Sequence, residues 1–501
     1  MINLKMLLLI PFLGLAATAQ ATISGLWGTN GERWSARSRL PDFSYAGYHC
    51  GEQPVPELPA GVSVKQFGAR GDGVTDDTRA FQAAIAAVTH GAIEIPPGRY
   101  VITDILTIAH RGVVLRGAGT DQTTLYFPKP LQEIKPHWSA TTGGLRTSEY
   151  SWDGGLVWFQ GDYGSKELAK VTAAASRGDT ALQVADASGL NVGQRVEFFE
   201  SDNPNNSLAT ELYSGDPGAI QNLLGSTAVS FVVHITRIEG NEVYFDRPLR
   251  FAVKLPWHPC LRQFEPAVSE SGVENLRFEF PNSPYRGHFT EPGFNAVAFT
   301  GVADCWARHL LITNADSGIF VRSCFCTVQD VVLASTREPD KALHCTGHHG
   351  LNFYGADNLL TGFDCRTRFV HDVSVDRGAI GNVVVHGRGV DLCLDHHCRT
   401  PAENLFTDLD AGAGTRLWQC GGGDALGKHC GARGTFWNIR AARLQKYPPA
   451  AFGPSSMNLV ALPTAAPSEM NPVGRWFEAI PPAEISPPDL YTAQLARRLG
   501  H

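Results

Sequence analysis

Short apolar runs separated by glycine, proline and polar turns recur along most of this chain. Between residues 272 and 445 these runs share one pattern, in which a polar residue sits beside two or three apolar ones. The runs cover 273–278, 307–314, 327–333, 369–375, 382–385 and 404–409. Recurrence of one short unit predicts a solenoid whose coils each contribute short strands. No long helical pattern intervenes between the strands, which argues against an alternating βα barrel.

One segment has helical rather than strand spacing. Phe81, Ala84, Ile85 and Val88 repeat as the apolar face of a helix, and residues 76–78 supply candidate N-caps. A stack of coils has an open hydrophobic end that an amphipathic helix can cover. The pattern therefore predicts a capping helix at the N-terminal end of the solenoid.

The sequence at 71–78 reads Gly-Asp-Gly-Val-Thr-Asp-Asp-Thr, followed by that helix and by short strands up to residue 119. This stretch resembles the N-terminal region of the pectate-lyase superfamily, closely over 61–125 and by repeat pattern over 272–445. The resemblance implies an all-β fold, a right-handed parallel β-helix, and a carbohydrate-active enzyme in general. The signature occurs in lyases, glycoside hydrolases and phage tailspikes alike, so no catalytic residue is carried over. We interpret Asp72, Asp76 and Asp77 as structural.

A different strand pattern interrupts the solenoid. Long alternating runs joined by a Glu-Gly-Asn-Glu turn at 239–242 predict a small antiparallel β insertion. The predicted organisation is a signal peptide (1–21), an N-terminal strap (22–60), N-terminal coils (61–165), the insertion (166–255), central and C-terminal coils (256–445), and a tail (446–501).

The N-terminus predicts export. A basic start, an apolar stretch and small residues up to Ala21 are typical of a secretory signal peptide. We therefore expect a secreted protein. No other apolar run is long enough to span a bilayer, so we expect no membrane association of the mature form. A phage tailspike is disfavoured, because phage proteins lack such signals.

Charge and cysteine content refine this picture. The net charge is −7, which argues against nucleic acid as a partner, because phosphate binding needs a basic surface. An odd number of cysteines, 11, leaves at least one free thiol. Cys420 and Cys430 flank a Gly-rich loop and are the best disulfide candidate. A stack of buried thiols is predicted from the regular spacing of Cys305, Cys326, Cys345 and Cys365.

Histidines concentrate in the second half of the chain. The steps from His349 to His371, to His396 and to Arg416 are 22, 25 and 20 residues, each about one coil. Coils of a parallel sheet stack about 4.8 Å apart. These side chains are thus predicted to form a ladder about 14 Å long on one outer face. A linear polysaccharide is the expected partner.

Two reactions fit such a ladder, elimination by a lyase and hydrolysis by a glycosidase. A uronate lyase needs a base and a cationic group beside the substrate carboxylate. His371 or His396 would be the base, Arg416 or Arg399 the cation, and Tyr354 an acid. The predicted catalytic residues are His371, His396, Arg416, Asp395 and Asp372. The predicted substrate-binding residues are His348, His349, Tyr354, His397, Arg399 and Arg388.

The alternatives belong to other classes. A glycoside hydrolase would use two carboxyl groups chosen from Asp372, Asp395, Asp408 and Asp410. A non-catalytic carbohydrate-binding β-helix is the third hypothesis. A metal-dependent enzyme that uses His348, His349, His396 and His397 is a further hypothesis. Consecutive histidines such as His348 and His349 point to opposite faces of an extended strand, which argues against a single four-histidine site, and we assign no metal ligands. Calcium, if used, would bind carboxylates and bridge to a uronate. The sequence predicts no oligomeric state.

Overall fold

The computed structural model describes residues 21–500, and its body is a parallel β-helix, as predicted. One wall is a parallel sheet in which each strand pairs in register with the strand one coil away. From the N-terminal end its strands are Leu106–Ile108, Val157–Gln160, Asn295–Ala303, Ser317–Cys324, Gly347–Phe353, Phe369–Val375 and Leu394–His396. We call this wall sheet A.

The other strands of the coils pair into a continuous, mostly parallel group that completes the solenoid, which we call sheet B. Its strands are Ala60–Ser63, Asp72–Asp76, Gly91–Ile95, Gly98–Val101, Val113–Gly117, Thr123–Tyr126, Gly272–Glu279, Trp306–Thr313, Thr327–Ala334, Leu359–Thr361, Asp364–Cys365, Val383–Val385, Arg388–Gly389, Leu405–Asp410, Thr435–Arg440, Asn458–Val460, Glu469–Met470 and Trp476–Glu478.

The remaining helices and short elements decorate this body. The α-helices are Thr78–Ala87, Leu131–Ile134, Ser207–Leu212 and Leu490–Leu499. The 3₁₀ turns are Tyr48–Gly51, Val64–Phe67, Glu149–Ser151, Gln221–Leu223 and Leu255–Trp257. A hairpin pairs Trp138–Ala140 with Arg146–Ser148. Within residues 21–500, no helix is long and apolar enough to cross a membrane.

The helix Thr78–Ala87 covers the end of the solenoid, as predicted. Phe81 and Ala84 are fully buried in the main core. The neighbouring acidic residues fold their own loop. Asp72 accepts hydrogen bonds from two backbone N–H groups, and Asp77 accepts from the N–H groups of Arg70 and Gly71. These carboxylates therefore have the structural role expected of them.

A column of buried asparagines binds consecutive coils to one another. Asn382 Oδ1 accepts from the side-chain amide of Asn358, and Asn382 Nδ2 donates to Asn404 Oδ1, both at 2.9 Å. The same Nδ2 donates to the carbonyl of Gly355. Backbone N–H groups at the coil turns, which would otherwise be unpaired, are satisfied by these side chains.

The antiparallel insertion is present and forms its own apolar core. Its strands are Gly164–Lys170, Ala181–Gln183, Arg195–Ser201, Ala228–Glu239, Glu242–Phe245 and Cys260–Phe264. Asp357, buried in the coils, pairs with both Arg247 and Arg250 of the insertion. Removing one member of such a buried network would leave an uncompensated charge, so the insertion is held firmly against the solenoid.

The C-terminal region extends the coils further than predicted. Asn458–Val460 and Trp476–Glu478 stack in parallel on the preceding strands, well beyond residue 445. These strands are three residues long and lie among prolines, so they show no alternation in the sequence. The strap and the chain end meet, because Thr22–Ile23 pairs with Ile485–Ser486.

The predicted disulfide is not formed. All 11 cysteines lie within the described residues, and each is a free thiol, Cys420 and Cys430 included. Most are buried, among them Cys305, Cys326 and Cys365 in the main core. They pack as small apolar side chains.

The asparagine column generates a stability prediction. Asn382→Ala removes a side chain whose partners are buried, so we expect the free energy of unfolding to fall by about 2–4 kcal/mol. Urea unfolding measures this loss. The exposed Asn191→Ala is the matched control and should change stability by less than about 0.5 kcal/mol. Equal effects of the two substitutions would contradict a coil-binding role.

Candidate functional site: a cluster of histidines on sheet A

The Gly-His-His-Gly sequence at 347–350 crosses sheet A where two coils approach closely. A Cβ on Gly350 would lie 2.3 Å from the carbonyl oxygen of Asp372, so a larger residue does not fit. The position faces inwards towards Leu333, and the next residue, Leu351, is also in the core. Side-chain alternation is therefore broken in this strand.

This break places two consecutive histidines in one cluster. The ring centroids of His348 and His349 are 4.1 Å apart, so the expectation that they point to opposite faces is wrong. His349 pairs in register with His371 on the next coil. Their rings stack at 4.9 Å, close to the strand spacing of a parallel sheet. The predicted step from His349 to His371 is confirmed as one coil.

Two further rings complete the group. His397 lies 5.0 Å from His371, centroid to centroid. His288 comes from an irregular segment and lies 4.4 Å from His348 and 5.9 Å from His371. We call these five histidines, together with Asp395, the histidine cluster. His348, His349 and His371 are buried, whereas His288 and His397 are partly exposed at its mouth.

Asp395 organises one side of the cluster. Its Oδ2 accepts a hydrogen bond from His397 Nδ1 at 2.9 Å and lies 3.3 Å from His371 Nδ1. Its Oδ1 accepts from the N–H of Gly421 at 2.7 Å. A Cβ on Gly421 would lie 2.3 Å from the His397 ring. Only glycine therefore lets this backbone donor approach the carboxylate.

The rings of the cluster differ in charge. Burial lowers the pKa of His397, but the carboxylates of Asp395 and Asp376 outweigh it and raise that pKa to about 9. Burial, followed by repulsion from neighbouring rings, lowers the pKa of His288 to about 4. The same causes hold the pKa of His348 and of His349 well below the usual range. At neutral pH the cluster thus combines a cationic ring, His397, with the neutral imidazoles of His288, His348 and His349.

Several buried nitrogens of the cluster have no hydrogen-bond partner among the described residues. They are both ring nitrogens of His371 and Nδ1 of His348. Asn352 donates to His349 Nδ1 at 3.1 Å, so that ring is better satisfied. A buried polar group without a partner costs about 1–3 kcal/mol. Such a concentration of cost in one place is typical of a functional site.

The placement of His396 corrects the sequence prediction. Its register partner is Val375, and its ring lies in the core 5.1 Å from Phe406, 5.5 Å from Phe436 and 5.3 Å from Phe452. Counting about one coil from His371 did not resolve which of two adjacent histidines faces outwards. His397, not His396, continues the cluster.

Two more predicted catalytic residues form hydrogen bonds with backbone groups of neighbouring coils. Arg416 donates to the carbonyls of Phe369 and Val370 at 2.7 and 3.0 Å. Asp372 is buried and accepts hydrogen bonds from the N–H groups of Phe369 and Cys393. Burial raises the pKa of Asp372. Both side chains therefore hold adjacent coils together and do not face a ligand.

The other predicted residues are divided between the cluster and other parts of the molecule. Tyr354 stacks beneath the guanidinium of Arg322 and donates its hydroxyl to the carbonyl of Trp152 at 3.1 Å. Arg399 lies two residues beyond His397 and is half-buried. Arg388 is on sheet B, paired with Asp364, so it is not part of this site.

The carboxylate pairs of the hydrolase hypothesis do not assemble as expected. Asp408 and Asp410 both belong to Leu405–Asp410 of sheet B, and Asp408 pairs with Arg440 there. Only Asp395 of the four predicted carboxylates is in the histidine cluster.

Sequence reasoning missed His288 and Glu291. Glu291 Oε1 lies 3.7 Å from His348 Nδ1 and accepts a hydrogen bond from Tyr285. Burial raises the pKa of Glu291 to about 7, against the lowering effect of that hydrogen bond. Both residues lie in a segment without regular structure, where no periodicity indicates which side chains face the coils. The only sequence feature that could have indicated them was their chemistry, because an imidazole and an acidic side chain occur there beside glycine and proline.

A separate depression of about 430 Å³ lies elsewhere on the solenoid. Its lining includes Arg277, Glu279, Asn282 and Thr336 and no histidine. It has fewer groups suited to proton transfer than the histidine cluster, and we treat it as the competing candidate site.

Fold and cluster together define a parallel β-helix protein with an imidazole-rich site on one sheet. Residues 61–133 match the family model described as rhamnogalacturonase A/epimerase, pectate lyase-like. The resemblance to the pectate-lyase superfamily is therefore confirmed over these N-terminal coils.

Curated relatives match part of the chain. The pre-neck appendage protein of Bacillus phage phi29 is 31% identical over 129 residues, which is 25% of this chain and 14% of that protein. Alginate lyase 7 of Azotobacter vinelandii is 34% identical over 97 residues, 18% of this chain and 11% of that protein. The chain thus matches only a small fraction of the length of these relatives.

Solved structures with similar topology are distant in sequence. The tailspike protein gp49 from Pseudomonas phage LKA1 has a TM-score of 0.44 at 12% identity, covering 80% of this chain and 68% of that one. The mannuronan C-5 epimerase AlgE4 A-module from Azotobacter vinelandii has a TM-score of 0.29 at 14% identity, with coverages of 76% and 75%.

The core position of His396 gives a pH prediction. Burial lowers its pKa from 6.5 to about 4, so the unfolded chain binds a proton below pH 6.5 that the native ring refuses. Stability from this residue is full above pH 6.5 and is lost as the pH falls towards 4. Between pH 7 and pH 5, the free energy of unfolding of the parent should therefore fall by about 2 kcal/mol more than that of His396→Phe. Urea unfolding at both pH values measures this, and identical losses would place His396 outside the core.

Proposed function

We propose that this protein cleaves an acidic, uronate-containing polysaccharide by β-elimination at the histidine cluster. The observation that carries the proposal is the presence in one cluster of a cationic ring, His397, and of the neutral imidazoles of His288 and His349, with the His349 ring centroid 6.1 Å from that of His397. The match of the N-terminal coils to a pectate-lyase-like family supports the proposal from outside the site.

β-Elimination needs two groups close together. A positive charge must neutralise the uronate carboxylate so that the adjacent C–H becomes acidic, and a base must then remove that proton. His397, partly exposed and held by Asp395, is suited to the first role. A neutral imidazole, that of His288 at the mouth of the cluster, is suited to the second. Arg416, predicted to neutralise the carboxylate, is committed to backbone carbonyls instead.

The surroundings suit a polymer. Sheet A stacks its strands along the solenoid at about 4.8 Å per coil, so a chain lying along it would pass several coils in succession. Trp152 and Phe289 pack edge to face at 6.2 Å, and Phe289 stacks on His288. Aromatic side chains thus flank the mouth of the cluster. Export is part of this proposal, on the strength of the signal-like segment 1–21, of which residues 1–20 lie outside the described residues.

A glycoside hydrolase is the second candidate. Burial raises the pKa of Glu291 to about 7, and this residue contacts His348 of the cluster. Burial alone would also raise the pKa of Asp395, but His371 and His397 outweigh it and hold that pKa well below the usual range. One protonated and one ionised carboxyl group are the pair that glycoside hydrolysis requires.

The test compares products on uronate and neutral polysaccharides. The ultraviolet absorbance of an unsaturated uronate, rising together with reducing ends, is the expected result. Reducing ends without absorbance would overturn elimination in favour of hydrolysis by Glu291 and Asp395. Cleavage of none of the polymers would overturn both enzymatic proposals in favour of a binding protein.

Substitutions of His397 test the cationic role. His397→Gln removes the charge and should lower kcat by about 10²–10³-fold, whereas His397→Lys retains a charge and should stay within about tenfold of the parent. Initial rates on the preferred polymer measure both. Arg388→Ala, on sheet B, is the matched control and should have the activity of the parent. Equal losses in the two His397 variants would argue against charge neutralisation.

A further inference from the structure

The inner part of the histidine cluster has the composition of a transition-metal site. One nitrogen each from His288, His348 and His371 lie within 4.8 Å of one another. Two nitrogens on one tetrahedral Zn²⁺ are about 3.4 Å apart, so side-chain adjustments of about 1 Å suffice. Imidazole is a ligand for zinc, copper, iron and nickel, whereas calcium prefers oxygen.

Burial makes this group unlike an accidental surface cluster. His348 is 1% exposed and His371 is 4% exposed. Both ring nitrogens of His371 lack a hydrogen-bond partner among the described residues. Nothing in the proposed reaction requires three imidazoles in contact, two of them buried, and stacked rings alone would leave their nitrogens unpaired. A metal ion would satisfy one nitrogen of each ring.

The second layer of side chains is also arranged for a metal. Histidines that bind metals commonly direct their other ring nitrogen to a carboxylate. His371 Nδ1 lies 3.3 Å from Asp395, and His348 Nδ1 lies 3.7 Å from Glu291. The rings of His371 and His348 thus each have Nδ1 near an acidic residue, and Nε2 is the remaining possible ligand atom of each.

We propose that His288, His348 and His371 bind one divalent transition-metal ion, with Zn²⁺ as the reference metal, and that Asp395 and Glu291 orient two of these rings. His397 stays outside the ligand set. A metal-bound hydroxide would then replace a free imidazole as the proton acceptor.

The ligand set has a consequence for the fold. His288 lies in the irregular segment between Glu279 and Asn295, whereas His348 and His371 lie on sheet A. An ion shared among the three would fasten this segment across the sheet. Metal binding should therefore protect the segment from proteolysis, independently of any substrate.

The experiment measures metal content and not activity. The full chain is stripped with a chelator, reloaded with Zn²⁺, dialysed and analysed by elemental mass spectrometry. We expect about one equivalent of Zn²⁺ in the parent, and affinity at least about tenfold weaker in His371→Gln, His348→Gln and His288→Gln. His349→Gln is the matched control, because it changes an equally buried ring outside the ligand set and should retain the ion.

Several outcomes would overturn the proposal. They are a parent that retains no Zn²⁺, a His371→Gln variant that binds as tightly as the parent, and an ion lost in His397→Gln but kept in His288→Gln. His429→Gln tests the thiol–imidazole contact of Cys398 and His429, and loss of the ion there would also contradict the assignment. Metal content is independent of cleavage, so a failed lyase assay leaves this result intact.

Cobalt substitution keeps the test decisive if a variant fails to fold. Co²⁺ bound by three imidazoles should give a tetrahedral visible spectrum without thiolate charge-transfer bands. Thiolate bands in the Co²⁺-loaded parent would move the site to the cysteines. The same sample with and without Co²⁺, treated briefly with protease, should show cleavage between residues 279 and 295 only without the metal.

Discussion

The parallel stacking of coils is the constraint on which the rest of this structure depends. Hydrogen bonds between successive strands fix a spacing of about 4.8 Å, and any side chain that recurs in register lies directly above its partner. Asn358, Asn382 and Asn404 exploit this repeat inside the body, where each amide satisfies the next coil. His349 and His371 exploit it on sheet A, where their rings stack at 4.9 Å.

The chemistry of the site follows from what this stacking leaves buried. Gly347 and Gly350 let the coils approach closely, and burial keeps the imidazoles of His348 and His349 neutral. Asp395, supported by the Gly421 N–H, makes His397 the exception. Asp395, together with Asp376, thus gives His397 a charge that His348 and His349 lack. A neutral base beside a fixed cation is the combination that proton abstraction from a uronate needs.

Features set by local pattern could be predicted from the sequence, and features set by long-range packing could not. The signature at 71–78 and the spacing of Phe81 and Ala84 were sufficient for the β-helix and its cap. The spacing of His349 and His371 was sufficient for the stack. The prediction for His396 was wrong because a one-residue shift in register exchanges the inner and outer faces of a strand. The sequence does not define the length of a coil turn to within one residue. His288 was missed because its segment has an irregular backbone, in which no periodicity indicates the direction of the side chains.

A crystal structure of the protein with a bound oligouronate tests the central claim most directly. The account predicts a sugar chain along sheet A, with one carboxylate against His397 and the adjacent ring carbon facing the neutral imidazoles. A sugar chain bound instead in the depression lined by Arg277, Glu279 and Thr336, with the histidine cluster untouched, would contradict it.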